Sequence, residues 1–258
     1  DAFQGVIFGI PFKKYKLVES SPGFFMNYNV TGTESKNSTS SLGGILGFVG
    51  FNKLGSVSHE QSLVNESSSN KSIRANTFFK KDFPDAMESF VVGDTLSSDG
   101  DWSRPARYFG VRWSRDFLTQ PGYVTYPSPS LKGSAALPSV VDVYINNQKQ
   151  FQQVLTPGPF DYRNVPLTTG AGEVNLVVKD LLGRETVITK NFYTQNTMLR
   201  EGLNDFSLES GLLRKNYGTL SNDYSSPFAA GTYRQGITDT LTAQSRLEVG
   251  TERQAVGA

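Results

Sequence analysis

The chain has 258 residues, with 25 Lys and Arg against 24 Asp and Glu, a formal charge of +1. That balance sets up no long-range field that would select nucleic acid, so no nucleic-acid partner is expected. With 25 Gly, 12 Pro, 12% aromatics and no cysteine, the composition is β-rich and turn-rich. It excludes a disulfide framework, a thiolate metal site and a cysteine nucleophile. No window approaches the roughly 18 apolar residues of a transmembrane helix, but a transmembrane barrel needs only about 9 to 11 alternating residues per strand.

From Phe24 to Phe117, segments rich in aromatic and β-branched residues alternate with clusters of Ser, Asn, Asp, Gly and Pro. They predict about six antiparallel strands: Phe24 to Gly32, Leu42 to Phe51, Val57 to Glu66, Ser72 to Lys81, Met87 to Gly93 and Tyr108 to Phe117. The connectors Glu34 to Ser41 and Asn65 to Asn70 are expected as long loops on one side, and the link around Asp82-Phe-Pro-Asp85 as a short turn on the other. In Tyr108 to Phe117 one parity carries Phe109, Val111, Trp113 and Phe117, and the other Gly110, Arg112, Ser114 and Asp116. A polar face of this kind suits a barrel lumen and equally a soluble sheet wetted on one side. Segments around Gly43 and Ala230 show no clean parity.

Between Ser134 and Tyr193 the predicted strands shorten. Val140 to Ile145 and Gln148 to Gln152 flank Asn146-Asn147, a pair suited to a two-residue hairpin turn. Pro159 to Val165, Gly172 to Lys179 and Arg184 to Tyr193 follow, predicting a β-sandwich of about 60 residues. Alternating segments resume at Leu203 to Leu213, Phe228 to Gln235 and Leu241 to Val249, so the sandwich is an insertion. The chain starts at Asp1 without Met or an export signal and stops inside an alternating segment, as expected of a piece of a longer exported protein.

Enzyme readings find little support. His59 is the single histidine and has no cysteine beside it, and no phosphate-binding glycine loop occurs. Carboxylate pairs such as Asp94/Asp99 or Glu201/Asp205 are ordinary among 24 acidic residues. No enzyme activity, cofactor, metal or small-molecule substrate is expected.

Several ordered motifs resemble the fimbrial outer-membrane ushers of the chaperone/usher pathway. They are Gly93-Asp-Thr-Leu-Ser-Ser98 with Trp102-Ser-Arg104; Phe109-Gly-Val-Arg-Trp113 with Gln120-Pro-Gly122; Ala136-Leu-Pro-Ser139 with Val141 to Asn146; and Pro157-Gly-Pro-Phe160. Thr168 to Glu173, Asp180-Leu-Leu-Gly-Arg-Glu185, Leu199 to Leu203 and Arg214-Lys-Asn-Tyr-Gly218 continue the series. The resemblance implies an all-β chain, part of a large antiparallel transmembrane barrel in the bacterial outer membrane, interrupted by a β-sandwich plug. It divides the chain into a link (1–23) from a missing N-terminal periplasmic domain, about six barrel strands (24–133), the plug (134–195) and about three further barrel strands (196–258), truncated. The implied function is a pore that assembles and secretes fimbrial subunits delivered by a periplasmic chaperone, gated by the plug and without nucleotide hydrolysis. Chaperone–subunit complexes and outer-membrane lipid are the implied partners, with a homodimer left open; the competing class is a secreted multi-domain β-sandwich adhesin.

Candidate gating residues are Arg112, Asp116, Asp205 and Glu209 on the barrel and Lys149, Arg163, Arg184 and Glu185 on the plug, although each also reads as an ordinary solvated charge. The connector Asp94 to Arg107, with Trp102, is expected either to fold inward or to form a surface loop. Lipid-facing candidates are Phe109, Val111, Trp113, Phe117, Phe206, Leu208 and Leu247. Arg115 shares their parity, which puts it near the headgroups unless the register is shifted by one residue.

Overall fold

The computed structural model describes residues 6–9, 14–16, 21–35, 38–66, 69–98, 104–163, 165, 167–195, 197–251 and 254–257. Its first long strands are β2 (Gly23–Ser35), β3 (Ser38–Asn52), β4 (Gly55–Glu66), β5 (Ser69–Phe83), β6 (Glu88–Leu96) and β7 (Arg107–Arg115), a short β1 (Val6–Gly9) preceding them. Each pairs antiparallel with the next from β2 to β7, as expected from the alternation.

The described residues of the expected long loops are strand. Ser35 pairs with Ser38, and Glu66 with Ser69, so the Ser/Asn-rich stretches extend the ladders that far. Small hydroxyl residues pair across strands there, as where Thr33 Oγ1 lies 2.7 Å from Ser41 Oγ, which satisfies polar groups without an apolar face. At the opposite end lie the tight β3–β4 turn and the Pro84–Met87 turn, whose Met87 N–H donates to Pro84 O at 3.2 Å. Strand β7 ends at Arg115, before the expected Phe117, because Asp116 caps a single 3-10 turn, Phe117–Thr119, by accepting from Leu118 N–H. Phe117 is therefore off the strand, and its parity does not place it on the lipid face.

The next seven elements are β8 (Leu131–Ala135), β9 (Ser139–Ile145), β10 (Gln148–Leu155), β11 (Gly158–Arg163), β12 (Gly170–Asp180), β13 (Glu185–Thr194) and β14 (Asn204–Arg214). They precede β15 (Tyr224–Thr238), β16 (Leu241–Gly250) and β17 (Gln254–Gly257). The sandwich has one sheet in the order β10-β9-β12-β13 and a second in the order β1-β11-β8. Its first strand begins at Leu131, ahead of the expected boundary at 134. Asn146 and Asn147 both have positive φ, 49° and 66°, and close the β9–β10 hairpin as their side chains suggested. Leu131, Val141, Val143, Phe160, Tyr162, Val174 and Leu176 are essentially inaccessible and form its core; full burial of such side chains contributes about 1.5–3 kcal/mol each.

The segment 1–23 contains more than a link. Val6–Gly9 runs parallel to β11 as the third strand of the sandwich's second sheet, pairing Val6 with Phe160 through Gly9 with Arg163. Residues 1–5, 10–13 and 17–20 of that segment lie outside the described residues.

All remaining strands form one sheet in the order β17-β16-β15-β14-β7-β6-β5-β4-β3-β2. Strand β14 pairs directly with β7, Ser207 opposite Ser114 through Leu213 opposite Tyr108, so the ladder continues across the inserted sandwich. The chain divides into two compact units: Asp1–Lys14, Gly122–Asn204 and Gln235–Ala243; and Tyr15–Pro121, Asp205–Arg234 and Gln244–Ala258.

Candidate functional site

In β7 and β14 the alternation fixes which side chains share a face. Arg112 lies opposite Glu209 and Ser114 opposite Ser207, while Trp113 lies opposite Leu208 and Phe109 opposite Leu212. The burial is inverted relative to a soluble sheet. Glu209, Ser207, Thr232 and Arg246 are buried, whereas Phe109, Val111, Trp113, Leu208 and Leu247 are 42–52% exposed. Phe206 is half-buried because its ring meets Trp113 edge-on at 5.5 Å, and the Arg115 guanidinium lies 5.3 Å from its centroid. Arg115 keeps the apolar parity but is the last residue of β7, donating to Ala86 O at 2.6 Å in the tight turn.

The polar face gathers several of the expected gating residues. Asp116 accepts from Lys80 Nζ at 3.1 Å and Ser89 Oγ at 2.7 Å, and Asp205 pairs with Arg234 at 3.4 Å. Arg112 donates to Leu96 O at 3.1 Å. Glu209 Oε1 accepts from the backbone N–H of Ser98 at 2.6 Å and from Ser207 Oγ at 2.7 Å. Arg246 donates to Ser98 Oγ at 3.0 Å and to Thr232 Oγ1. Ser98 belongs to the β6–β7 connector, so its near end folds onto the polar face of β14, β15 and β16. Asp99 and Trp102 lie outside the described residues.

The inward course of that hairpin starts at Gly93. It has φ +123° and is the last β6 residue paired with β5, yet β6 stays paired with β7 as far as Leu96 opposite Arg107. A Cβ at Gly93 would stand 2.3 Å from Thr77 O, so both the backbone conformation and the space demand glycine. Beside it, Asp94 is buried and accepts from both Arg74 and Arg214, from Tyr224 Oη at 2.6 Å and from Thr77 N–H at 3.0 Å. Arg214 also donates to Ala75 O, Arg74 O and Ser221 O. Tyr217 caps the cluster, with the Arg107 guanidinium 3.6 Å from its ring centroid. These contacts bind the β14–β15 loop to β5, where β6 has left it. Of this clasp the sequence reading singled out only the Gly93-Asp94 and Arg214 motifs, without assigning them a role; Arg74 carried no pattern.

Gln120, in the Gln120-Pro-Gly122 motif, is another anchor whose role its local sequence does not reveal. It is buried, accepts from Tyr15 N–H at 2.8 Å and donates to Tyr15 O at 2.9 Å and Pro84 O at 3.0 Å.

On the sandwich, Lys149 pairs with Asp142 at 2.8 Å, Arg184 with Asp180 at 2.7 Å and Glu185 with Lys179 at 3.0 Å. Arg163 pairs with Asp161 at 2.6 Å, and Ser130 Oγ donates to the same carboxylate at 2.6 Å. Burial alone would push the Asp161 carboxyl up, but the Ser130 hydroxyl and the Arg163 guanidinium outweigh it and hold it below the usual carboxylate range. These four candidates thus lie along one domain as individual pairs, while Arg112, Asp116, Asp205 and Glu209 share one polar wall. No described helix is long and apolar enough to cross a membrane, which leaves a strand-built barrel open.

The profile of the outer membrane usher protein family matches residues 52–257. This chain belongs to that family. The usher chain is 25% identical over 195 residues to the outer membrane usher protein YehB of Escherichia coli K12, covering 75% of this chain and 23% of that protein. It is 23% identical over 249 residues to the E. coli usher FasD, covering 92% of this chain and 30% of that protein. It therefore spans less than a third of the length of these curated relatives. A chain of the cryo-EM structure of the E. coli P pilus tip assembly intermediate PapC-PapD-PapK-PapG superimposes with a TM-score of 0.61 at 16% identity, covering 94% of the usher chain and 31% of that chain. The fold is accordingly part of a transmembrane barrel with an inserted sandwich, and the family's location is the bacterial outer membrane.

Proposed function

We propose that this usher chain is part of an outer-membrane pore that assembles and secretes fimbrial subunits delivered by a periplasmic chaperone, with the inserted sandwich as its gate. The observation that carries the reading is the inverted sheet: apolar side chains exposed on one face, charged and hydroxyl groups buried on the other, in a ladder unbroken by the insertion. An apolar band fits lipid, and a charged wall fits a water-filled passage. The adhesin alternative needs ten adjacent strands with no such outward apolar face.

The work of such a pore is mechanical. Chaperone–subunit complexes dock, each subunit exchanges its chaperone strand for its neighbour's, and the better fit supplies the free energy without nucleotide. Arg112, Asp116, Asp205 and Glu209 are the wall residues through which the gate is held, with Lys149, Arg163, Arg184 and Glu185 their counterparts on the sandwich. Exposed pairs contribute only about 0–1 kcal/mol each, so holding the gate takes several. Phe109, Val111, Trp113, Phe206, Leu208 and Leu247 meet lipid.

The test is ion conductance of the full-length protein in planar bilayers, with and without residues 122–203. Since β7 and β14 are already paired, a short loop can rejoin them. Large stable channels on deletion and a mostly closed intact protein are expected; no conductance from either would sink the pore reading.

A further inference from the structure

We infer that Val6–Gly9 is a detachable tether: a strand that the usher chain's own N-terminal segment lends to the edge of its sandwich, and that must unzip before the sandwich can travel. The inference rests on the proposed gate. Two anchors define the tether. At one end the segment is hydrogen-bonded along β11 in a parallel ladder of only four residue pairs. At the other, the backbone of Tyr15 is clamped from both sides by the buried Gln120 side chain, which also holds the Pro84 turn. The chain changes compact unit between Lys14 and Tyr15.

The distance between the anchors is limited by covalent geometry. From Gly9 to Tyr15 the fully extended chain reaches about 20 Å at most. While both anchors hold, β11 cannot move farther than that from Tyr15, and a larger excursion must break one of them. The two differ in strength. The Gln120 clamp is buried and makes three hydrogen bonds to carbonyl and N–H groups, whereas the strand is short and parallel, with Val6 and Ile7 42% and 55% exposed. Parallel ladders are the weaker kind per residue, and exposed side chains add little burial to hold the strand. The strand is thus the part that yields. Strand β11 itself survives the loss, because β8 pairs along its other edge and Phe160 and Tyr162 remain in the core. What is left is a free backbone edge ready to take the strand back, so the device is reversible.

The variant that tests this in the full-length protein is Ile7→Pro with Phe8→Pro. Successive residues of a strand direct their N–H groups to opposite sides, so one of the two prolines removes a donor to β11 whichever way the ladder is phased. Hydrogen exchange of the β11 amides should speed up, and resting ion conductance should rise about tenfold, the effect of losing roughly one or two net backbone hydrogen bonds. Ile7→Val, which keeps the donor and the β-branch, should behave as the parent. Unchanged exchange at β11 would show that the strand is not docked, and faster exchange with unchanged conductance would show that it restrains nothing; either result overturns the tether. Failure of the pore reading is separately visible, because then deletion of residues 122–203 opens no channel.

Discussion

The two units of the usher chain are built from the same alternating strands and solve burial in opposite ways. In the sandwich, Val141, Val143, Val174 and Leu176 face inward and the pairs made by Lys149, Arg184 and Glu185 lie outside. In the ten-stranded sheet, Glu209, Arg214 and Arg246 are buried while Phe109, Val111 and Leu208 are exposed. Hydropathy patterning therefore specifies a strand but not its surroundings; the sign of the burial does that, and under the proposed pore it separates a water-solvated domain from one solvated by lipid.

That contrast can be broken most forcefully at Asp94. Asp94→Ala would leave the buried Arg214 and its neighbour Arg74 without their shared carboxylate, a loss of about 3–5 kcal/mol. Full-length protein carrying it should lose heat-resistant barrel mobility in semi-native gels. Next comes Val111→Arg, which places a charge on the apolar band at a cost of about 2–4 kcal/mol and should block insertion. The same change at Val187, exposed on the sandwich, should be tolerated. Normal secretion by the Val111→Arg protein would remove the lipid assignment.

Acid should separate the units more gently. Asp161 is held below its usual range when folded, so its pairing stabilises the sandwich above the unfolded value of about 3.9 and that stability is lost as pH falls through the folded value. Protease resistance of the sandwich in the full-length protein should decline in this acid window, and Asp161→Asn should weaken the dependence. Smallest of all, Glu185→Ala removes one exposed pair with Lys179 and should shift sandwich stability by at most about 1 kcal/mol, measurable as the urea midpoint of its protease protection.

Much of the fold is legible in the sequence because alternation and turn chemistry act locally. Asn146-Asn147 identifies its hairpin unaided, and Phe109 to Trp113 identifies its two faces. What escapes has non-local causes. The pairing of Val6–Gly9 with β11 joins residues about 150 apart with no pattern beyond three β-compatible residues and a glycine. Arg74 becomes part of the clasp only because Gly93 turns the hairpin away and brings Arg214 to β5. The Ser-rich hairpin tips resemble loops because they lack an apolar face, yet their backbones pair like any others. The charged candidates of the sandwich are legible as charges, but their identity does not reveal that Lys149, Arg184 and Glu185 pair with Asp142, Asp180 and Lys179 of the same domain.

The direct pairing of β7 with β14 has a mechanical meaning. Both linkers to the sandwich depart from neighbouring strands, about 5 Å apart, on the same rim. Because those two strands are knitted to each other directly, the seam in the wall is already sewn without the sandwich, and the fabric keeps its weave whatever the insertion does.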